Sequence, residues 1–107
     1  MPLASSSTAR ERVLITGAGS GLGLALAHRY ARDGARVLCV DLDASRAQAA
    51  ASALPGDGHL AFQADVGEDA SIDALKAAVE AATGGVDVLV NNAGIASGGP
   101  LLGTDMA

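Results

Sequence analysis

Cysteine, basic residues and long apolar runs are scarce in this sequence, and each scarcity excludes a class of protein. Cys39 is the only cysteine, so an internal disulfide is impossible, and its apolar neighbours predict a buried, unreactive thiol. No apolar run has the length of a signal peptide or of a bilayer span. Seven Lys and Arg against twelve Asp and Glu give a formal net charge of -5, which argues against nucleic acid as a partner. We therefore expect a cytoplasmic protein with neither a nucleic-acid nor a membrane partner.

From residue 13 onward, short β-rich runs alternate with longer Ala-rich segments. The runs predict strands at Val13–Thr16, Arg36–Asp41, His59–Gln63 and Val86–Asn91. The segments between them predict helices at Leu22–Asp33, Ala44–Leu54 and Glu68–Thr83. In the first helix, apolar residues recur near helical spacing at Leu22, Ala25, Leu26 and Tyr30. This alternation is typical of an α/β fold in which helices cover both faces of a doubly wound parallel sheet.

A glycine-rich stretch from Thr16 to Gly23 joins the first predicted strand directly to the first predicted helix. Gly17 allows a tight turn, Gly21 lets the backbone approach a pyrophosphate, and Gly23 permits close packing of the helix on the strand. The N–H groups and the positive dipole end of the helix would then face an anion. The alternative is a turn that only connects two elements. The stretch is not a P-loop, because no Lys follows it, and Leu24 replaces the last glycine of Gly-x-Gly-x-x-Gly.

Polar residues stand at the ends of the other three predicted strands. Asp41 ends the second strand about twenty residues after the glycines, where a carboxylate can accept hydrogen bonds from ribose hydroxyls and would repel a 2′-phosphate. Asp65-Val66 follows the third strand, and Asn91 to Gly94 closes the fourth. Solvated strand ends and simple turns are the alternatives for these residues. Asp43, two residues beyond Asp41, is predicted to cap the next helix.

Together these segments resemble the short-chain dehydrogenase/reductase (SDR) family. Its pattern Thr-Gly-x-x-x-Gly-x-Gly matches Thr16 to Gly23, and its Asn-Asn-Ala-Gly signature matches Asn91 to Gly94. The resemblance implies a Rossmann-like doubly wound parallel sheet in the order 3-2-1-4, holding strands 1 to 4 of about seven. It also implies a nicotinamide dinucleotide site formed by Gly17, Ser20, Gly21, Leu22, Gly23, Asp41, Asp65, Val66, Asn92, Ala93 and Gly94.

Within that implied site, Asp65 would meet the adenine amino group, Val66 would line the adenine ring, and Asn92 to Gly94 would line a ribose of the cofactor. Family members that use NADP tend to carry a basic residue at the positions that hold Ser20 and Leu42 here. NAD is therefore the expected cofactor, and NADP is the less favoured one.

The family reaction transfers a hydride between the dinucleotide and an alcohol or ketone, using a Ser and a Tyr-x-x-x-Lys pair. The only Tyr and the only Lys of this sequence, Tyr30 and Lys76, cannot form that pair. Tyr30 shares a predicted helix face with Leu26 and is interpreted as a packing residue. The resemblance places the catalytic residues beyond Ala107, so we expect the chain to be inactive alone.

Two alternatives to an oxidoreductase fragment stay open: a non-catalytic dinucleotide-binding module, and a truncated product without enzymatic activity. Neither His28 nor His59 has a paired carboxylate or thiol that would predict a triad or a metal site.

Two segments are expected along the chain: a flexible tail over residues 1–11, and residues 12–107 as the N-terminal part of a single NAD(P)-binding domain. Thr104-Asp105 resembles the start of a helix just before the sequence ends, which favours a fragment of a longer protein. The family is often homo-oligomeric through later helices that are not in this sequence. No quaternary state is therefore carried over.

Overall fold

The computed structural model describes residues 10–93, which form a parallel sheet flanked by helices. Its strands are β1 (Arg12–Thr16), β2 (Arg36–Asp41), β3 (Leu60–Gln63) and β4 (Val88–Val90). Its helices are α1 (Gly21–Arg32), α2 (Ala44–Ala53) and α3 (Asp69–Thr83). The strand order is β3-β2-β1-β4 and each pairing is parallel, which confirms the predicted fold class and strand order.

The two central strands, β1 and β2, are buried on both faces of the sheet. One face carries Val13, Ile15, Val37 and Cys39, which pack beneath α1 and α2. The other face carries Leu14, Leu38 and Val40, which pack beneath α3. Consecutive apolar residues are needed where helices cover both sides of a strand, and the sequence supplies them at these positions.

The chain reverses direction across the sheet after β3. The crossovers β1-α1-β2 and β2-α2-β3 both run outward from β1, so right-handed connections place α1 and α2 on one face. The connection from β3 through α3 to β4 runs back past β1, and α3 therefore lies on the opposite face. This reversal between β1 and β4 creates a crevice at the carboxyl ends of the strands, where open α/β sheets bind ligands.

The buried face of α1 differs from the predicted one. Its buried positions are small residues spaced four apart: Gly23, Ala27 and Ala31. Leu22 is 56% exposed and Ala25 is exposed, so these two predicted face residues point away from the core. Leu26 and Tyr30 flank the buried stripe and pack partly against the core, which confirms Tyr30 as a packing residue. Small residues at the contact let α1 lie close to the strands, and apolar spacing alone could not distinguish the two neighbouring faces.

Strand β4 is shorter than the predicted Val86–Asn91. The residues that flank it bind β1 through their side chains: Asp87 accepts from the Arg12 N–H, and Asn91 accepts a hydrogen bond from the Thr16 hydroxyl. Its central residue, Leu89, pairs with Leu14 and lies on the α3 side, where it is 64% exposed. A groove of about 710 Å³ runs between Leu89 and α3. Within residues 10–93, then, only one face of β4 is well covered.

The first two described residues are tied to the sheet, although the predicted tail included them. The Glu11 carbonyl accepts a hydrogen bond from the Arg36 N–H at 2.8 Å. The Arg10 guanidinium donates to the carbonyls of Gly34 and Ala35. The remainder of the predicted tail, residues 1–9, lies outside the described residues.

Cys39 and His59 both have structural positions. Cys39 is fully buried, and burial raises the pKa of its thiol to about 11, which leaves little reactive thiolate at neutral pH. This confirms the predicted buried thiol. His59 precedes β3, its Nδ1 accepts a hydrogen bond from the Val37 N–H at 3.0 Å, and its Nε2 lies 2.7 Å from the Pro55 carbonyl oxygen.

None of the helices described within residues 10–93 has the length and apolar character that a membrane crossing requires.

An ion pair fastens β1 to the segment between α3 and β4, at the amino ends of the strands. Arg12 Nε and Nη2 donate to the two oxygens of Asp87 at 3.1 and 3.2 Å, and Arg12 Nη1 donates to the Thr83 carbonyl at 2.9 Å. The Arg12 N–H also donates to Asp87 Oδ2. Hydrogen bonds from the Arg12 side chain and backbone lower the pKa of the Asp87 carboxyl below its usual value.

Replacing Asp87 by Asn should lower the thermal unfolding midpoint and reduce its dependence on acid pH. The pKa of Asp87 is lower in the folded state than in the unfolded state. Its contribution to the stability of the fold is therefore complete above the unfolded pKa of about 3.9 and is lost as pH falls through the folded pKa. Circular dichroism melts from pH 7 to pH 3 measure this, with Asp73→Asn, at an exposed position of α3, as the matched control. Identical pH profiles for the two variants would contradict the assignment.

Two substitutions on α1 test which of its faces is buried. Ala27→Leu should reduce the free energy of unfolding by about 1–3 kcal/mol, because added methyl groups overpack a filled core. Ala25→Leu, on the exposed face, should change it by less than about 0.5 kcal/mol. Denaturant unfolding of both variants makes the comparison, and equal losses would refute the observed orientation of the helix.

Candidate functional site

The segments predicted to bind a cofactor lie together along the carboxyl edge of the sheet. The glycine-rich turn follows β1, Asp41 ends β2, Asp65-Val66 follows β3, and Asn91 to Ala93 follows β4. Because all four strands are parallel, their carboxyl ends share this edge. Gly94, the last residue of the predicted set, lies outside the described residues.

Three glycines of the turn meet the requirements predicted for them, each for a separate reason. Gly17 and Gly21 have φ values of 68° and 55°, which favour glycine. A Cβ on Gly17 would lie 2.9 Å from Asn92 Nδ2, whereas one on Gly21 would meet no atom of residues 10–93 within 4 Å. A Cβ on Gly23 would collide with the Gly17 carbonyl oxygen, so Gly23 lets α1 approach the turn. The space beside Gly21 is the part of the turn that stays open.

The start of α1 has no side-chain cap within residues 10–93. Ser20 is the N-cap residue with extended backbone, at φ -162° and ψ 166°, and within the described chain its side chain makes no capping hydrogen bond. The first turn of α1 holds no acidic residue. Leu22, the next predicted site residue, is exposed beside this terminus. A helix start of this kind offers N–H donors and a positive dipole end to an anion.

Asp41 is fixed by two backbone donors. Its Oδ2 accepts from the Gly19 N–H at 2.9 Å and its Oδ1 accepts from the Asp43 N–H at 3.0 Å, and the residue is only 9% exposed. A carboxylate offers about four acceptor positions, so each oxygen can accept one more hydrogen bond. The geometry therefore presents two acceptors on one rigid group beside the glycine-rich turn, an arrangement that suits two adjacent hydroxyls.

The neighbouring helix α2 begins with a strong cap. The carboxylate of Asp43 accepts from the backbone N–H groups of Ser45 and Arg46 at 2.9 and 3.2 Å. These hydrogen bonds, that from Arg46 above all, lower the pKa of the Asp43 carboxyl below its usual value. Arg46 Nε lies 3.9 Å from Asp43 Oδ2, and its side chain is 61% exposed. This confirms the predicted role of Asp43 as a helix cap.

The loop after β4 is held against the glycine-rich turn. Thr16 Oγ1 accepts from the Ala93 N–H at 3.0 Å and donates to Asn91 Oδ1 at 3.2 Å. Asn92 is buried, and its Nδ2 donates to the Gly17 carbonyl at 3.3 Å. These bonds bring Asn92 and Ala93 to the turn, and they assign Thr16 a positioning role that the sequence reasoning missed.

The residues after β3 lie farther along the same edge. Asp65 is exposed, its Oδ1 accepts from the Gly67 N–H at 2.9 Å, and its own N–H donates to Ser71 Oγ at 2.8 Å. Val66 is half-buried and lines the groove beside α3. The segment is linked to the Asp41 backbone, because the Ala64 N–H donates to the Asp41 carbonyl at 3.1 Å. The segment thus begins next to Asp41, and the Asp65 carboxylate is held by its own loop.

Gly19 is a further residue of this edge that the sequence analysis did not single out. Its N–H holds Asp41, and a Cβ at Gly19 would lie 2.6 Å from both Asp41 Oδ2 and Arg46 Cβ. The only sequence signal was a fourth glycine at a variable position of the motif. Tyr30 and Lys76 lie on α1 and α3, on opposite faces of the sheet, so the structure does not bring together the chain's two candidates for proton transfer.

Similarity to known proteins agrees with this arrangement. Residues 11–107 match the model of the short chain dehydrogenase family. The chain is 48% identical over 85 residues to D-threitol dehydrogenase of Mycolicibacterium smegmatis, covering 78% of this chain and 33% of that protein. It is 44% identical over 90 residues to galactitol 2-dehydrogenase of Agrobacterium fabrum, covering 84% of this chain and 35% of that protein.

A solved structure with the same fold is 3-ketoacyl-(acyl-carrier-protein) reductase from Brucella melitensis complexed with NADH. It superposes with a TM-score of 0.69 at 43% identity, over 74% of this chain and 32% of that one. The chain thus spans about a third of the length of each of these three proteins. Since the family model covers nearly the whole sequence and the sheet has the family's strand order, the chain belongs to the short-chain dehydrogenase family.

Proposed function

We propose that this protein binds NAD(H) at the carboxyl edge of its sheet and belongs to an oxidoreductase that transfers a hydride between that cofactor and an alcohol or ketone. The observation that carries the proposal is the contact between the glycine-rich turn and the Asp41 carboxylate, at 2.9 Å from the Gly19 N–H. It combines, in one rigid unit, acceptors for ribose hydroxyls with a helix start suited to a diphosphate.

The residues present fit the dinucleotide. The space beside Gly21 and the uncapped start of α1 would receive the diphosphate, and the two Asp41 oxygens would accept hydrogen bonds from the adenosine ribose. Asn92, Ala93 and Gly94 would line a ribose of the cofactor, while Asp65 and Val66 would border the adenine. In the family the cofactor supplies or accepts the hydride, and this chain's residues hold and orient it.

NAD is proposed over NADP on electrostatic grounds. A 2′-phosphate would place negative charge against the Asp41 carboxylate, which is buried and held by two backbone donors. Ser20 and Leu42 provide no positive charge to offset it. The nearby cation Arg46, on α2, has its guanidinium beside the Asp43 carboxylate, so its positive charge is already paired. The NADH-bound relative supports the same choice.

The substrate is proposed only as a class. Two relatives are named for the oxidation of sugar alcohols, which supports an alcohol or its ketone as the compound that exchanges hydride.

The proposal also includes a cytoplasmic location and residues 12–107 as one part of a longer dinucleotide-binding domain. It includes no nucleic-acid partner, because the net charge is -5.

A second candidate function is a dinucleotide-binding module that does not catalyse. It is favoured by one observation, the separation of Tyr30 and Lys76 on opposite faces of the sheet. The 107-residue chain assayed by itself with NAD and a set of secondary alcohols should show cofactor binding without turnover. Turnover by this chain would contradict the assignment of the catalytic Ser, Tyr and Lys to residues beyond Ala107.

Substituting Asp41 by Ala should lower the affinity for NADH about tenfold or more while the affinity for NADPH stays level or rises. Hydrogen bonds to a charged acceptor contribute about 1.5–3 kcal/mol, and each 1.4 kcal/mol corresponds to tenfold in Kd. Fluorescence titration of both cofactors provides the ratio. Asp57→Ala is the control, because Asp57 is a 99% exposed carboxylate in the turn before β3, at the opposite edge of the sheet. An unchanged NADH to NADPH ratio in Asp41→Ala would remove the basis for choosing NAD.

Substituting Gly21 by Ala should weaken NADH and NADPH binding equally, by roughly tenfold. The new methyl group would occupy the open space at the turn, and the residue would be strained at φ 55°. The control is Gly34→Ala, at φ 97° just beyond the other end of α1, where no atom of the described residues lies within 4 Å of the new Cβ. This control should lose stability but keep both affinities. A change confined to one cofactor would contradict a diphosphate site at Gly21.

A further inference from the structure

Gly19 is packed between the end of β2 and the first turn of α2. Its N–H donates to Asp41 Oδ2 at 2.9 Å. A Cβ at this position would lie 2.6 Å from that same oxygen, 3.0 Å from Asp41 Cγ and 2.6 Å from Arg46 Cβ. Carbon atoms do not approach to such distances, so any side chain here must displace a neighbour.

The requirement for glycine at this position is one of space. Gly17 and Gly21 have φ values in the left-handed region, and Gly19 does not. An Ala at position 19 therefore has an allowed backbone, and its effect would be transmitted through the atoms that its methyl group touches. Arg46 Cβ belongs to α2, whose first turn is fixed by the Asp43 cap. The Asp41 carboxylate, the end of a side chain, is the neighbour that can move.

We propose that Gly19 is a positioning residue that sets the dinucleotide preference of this site by fixing the Asp41 carboxylate. The Gly19 N–H holds Asp41 Oδ2, and the absence of a side chain at Gly19 leaves room for the carboxylate to accept from Gly19 and Asp43 at once. The inference rests on the proposed NAD(H) site. It assigns the choice between NADH and NADPH to Asp41, which is charged, and to Gly19, which is not.

The position of the carboxylate matters because both of its effects depend on geometry. Held by two backbone donors, each oxygen keeps capacity for one ribose hydroxyl, and the negative charge stands where a 2′-phosphate would come. If a methyl group turned the carboxylate away, the bond to the Gly19 N–H would be lost. The paired acceptors would no longer match two adjacent hydroxyls, and the repulsion of a 2′-phosphate would weaken.

The test is a double-mutant cycle on the protein expressed from its complete reading frame, using Gly19→Ala, Asp41→Ala and the combination. Kd values for NADH and NADPH are measured by fluorescence titration. Gly19→Ala should reduce the NADH to NADPH affinity ratio about tenfold, or about 1.4 kcal/mol. In the Asp41→Ala background the same substitution should change the ratio less than about twofold, since the group through which it acts is absent.

Two comparisons separate positioning from general damage. Gly34→Ala, also on a turn that flanks α1, should lower stability without changing the ratio. Gly19→Ala should lower the thermal unfolding midpoint by less in the Asp41→Ala background than in the unmodified protein. In that background the new methyl group would contact Arg46 but no longer the Asp41 carboxylate. This second comparison decides the matter even if Gly19→Ala alone folds poorly.

The outcomes are distinct. A preserved ratio in Gly19→Ala, an effect that adds fully to that of Asp41→Ala, or equal stability losses in both backgrounds would each overturn the positioning role while leaving the NAD(H) site intact. Absence of binding of either cofactor by the unmodified protein would overturn the proposed function and this inference together.

Discussion

The structure depends on the glycine-rich turn after β1, which packs against neighbouring segments mainly through its backbone. The segment after β1 runs between the end of β2 and the loop after β4, and it touches both through backbone atoms. Gly17 accepts a hydrogen bond from Asn92 through its carbonyl, and Gly19 donates one to Asp41 through its N–H. Gly23 then allows α1 to begin directly against the turn. A side chain at any of these three glycines would collide with a neighbour, so the sheet edge and the candidate site share one constraint.

That constraint joins fold to chemistry. The reversal of the chain between β1 and β4 opens the crevice. Among the helices within residues 10–93, the same reversal places α3 on one face and α1 with α2 on the other. The crevice thus has the positive end of α1 on one side and the buried Asp41 carboxylate close by. At the proposed site, attraction for a diphosphate would come from the backbone, and the hydroxyls of a sugar would be accepted by one acid. An overall charge of -5 is compatible with both, since neither depends on a basic surface.

Most of the fold could be predicted because its signals are local. Apolar runs and Gly or Pro turns fixed the element order, and the parallel sheet then brought Asp41, Asn92 and the glycines to one edge. The buried face of α1 was predicted only in part, because Leu and Ala occur on two adjacent faces of that helix. Leu26 and Tyr30 do pack against the core, but only packing against the strands selects the face of Ala27. The importance of Gly19 was missed because it arises from Asp41, 22 residues away, and from the first turn of α2. Contacts between distant segments leave no local pattern.

The central claim, that this edge of the sheet is a site for NAD(H), is tested most directly by calorimetric titration of the unmodified protein. We expect saturable binding of NADH with one site per chain, and weaker binding of NADPH under the same conditions. Absence of heat and of saturation with every nicotinamide dinucleotide would contradict it.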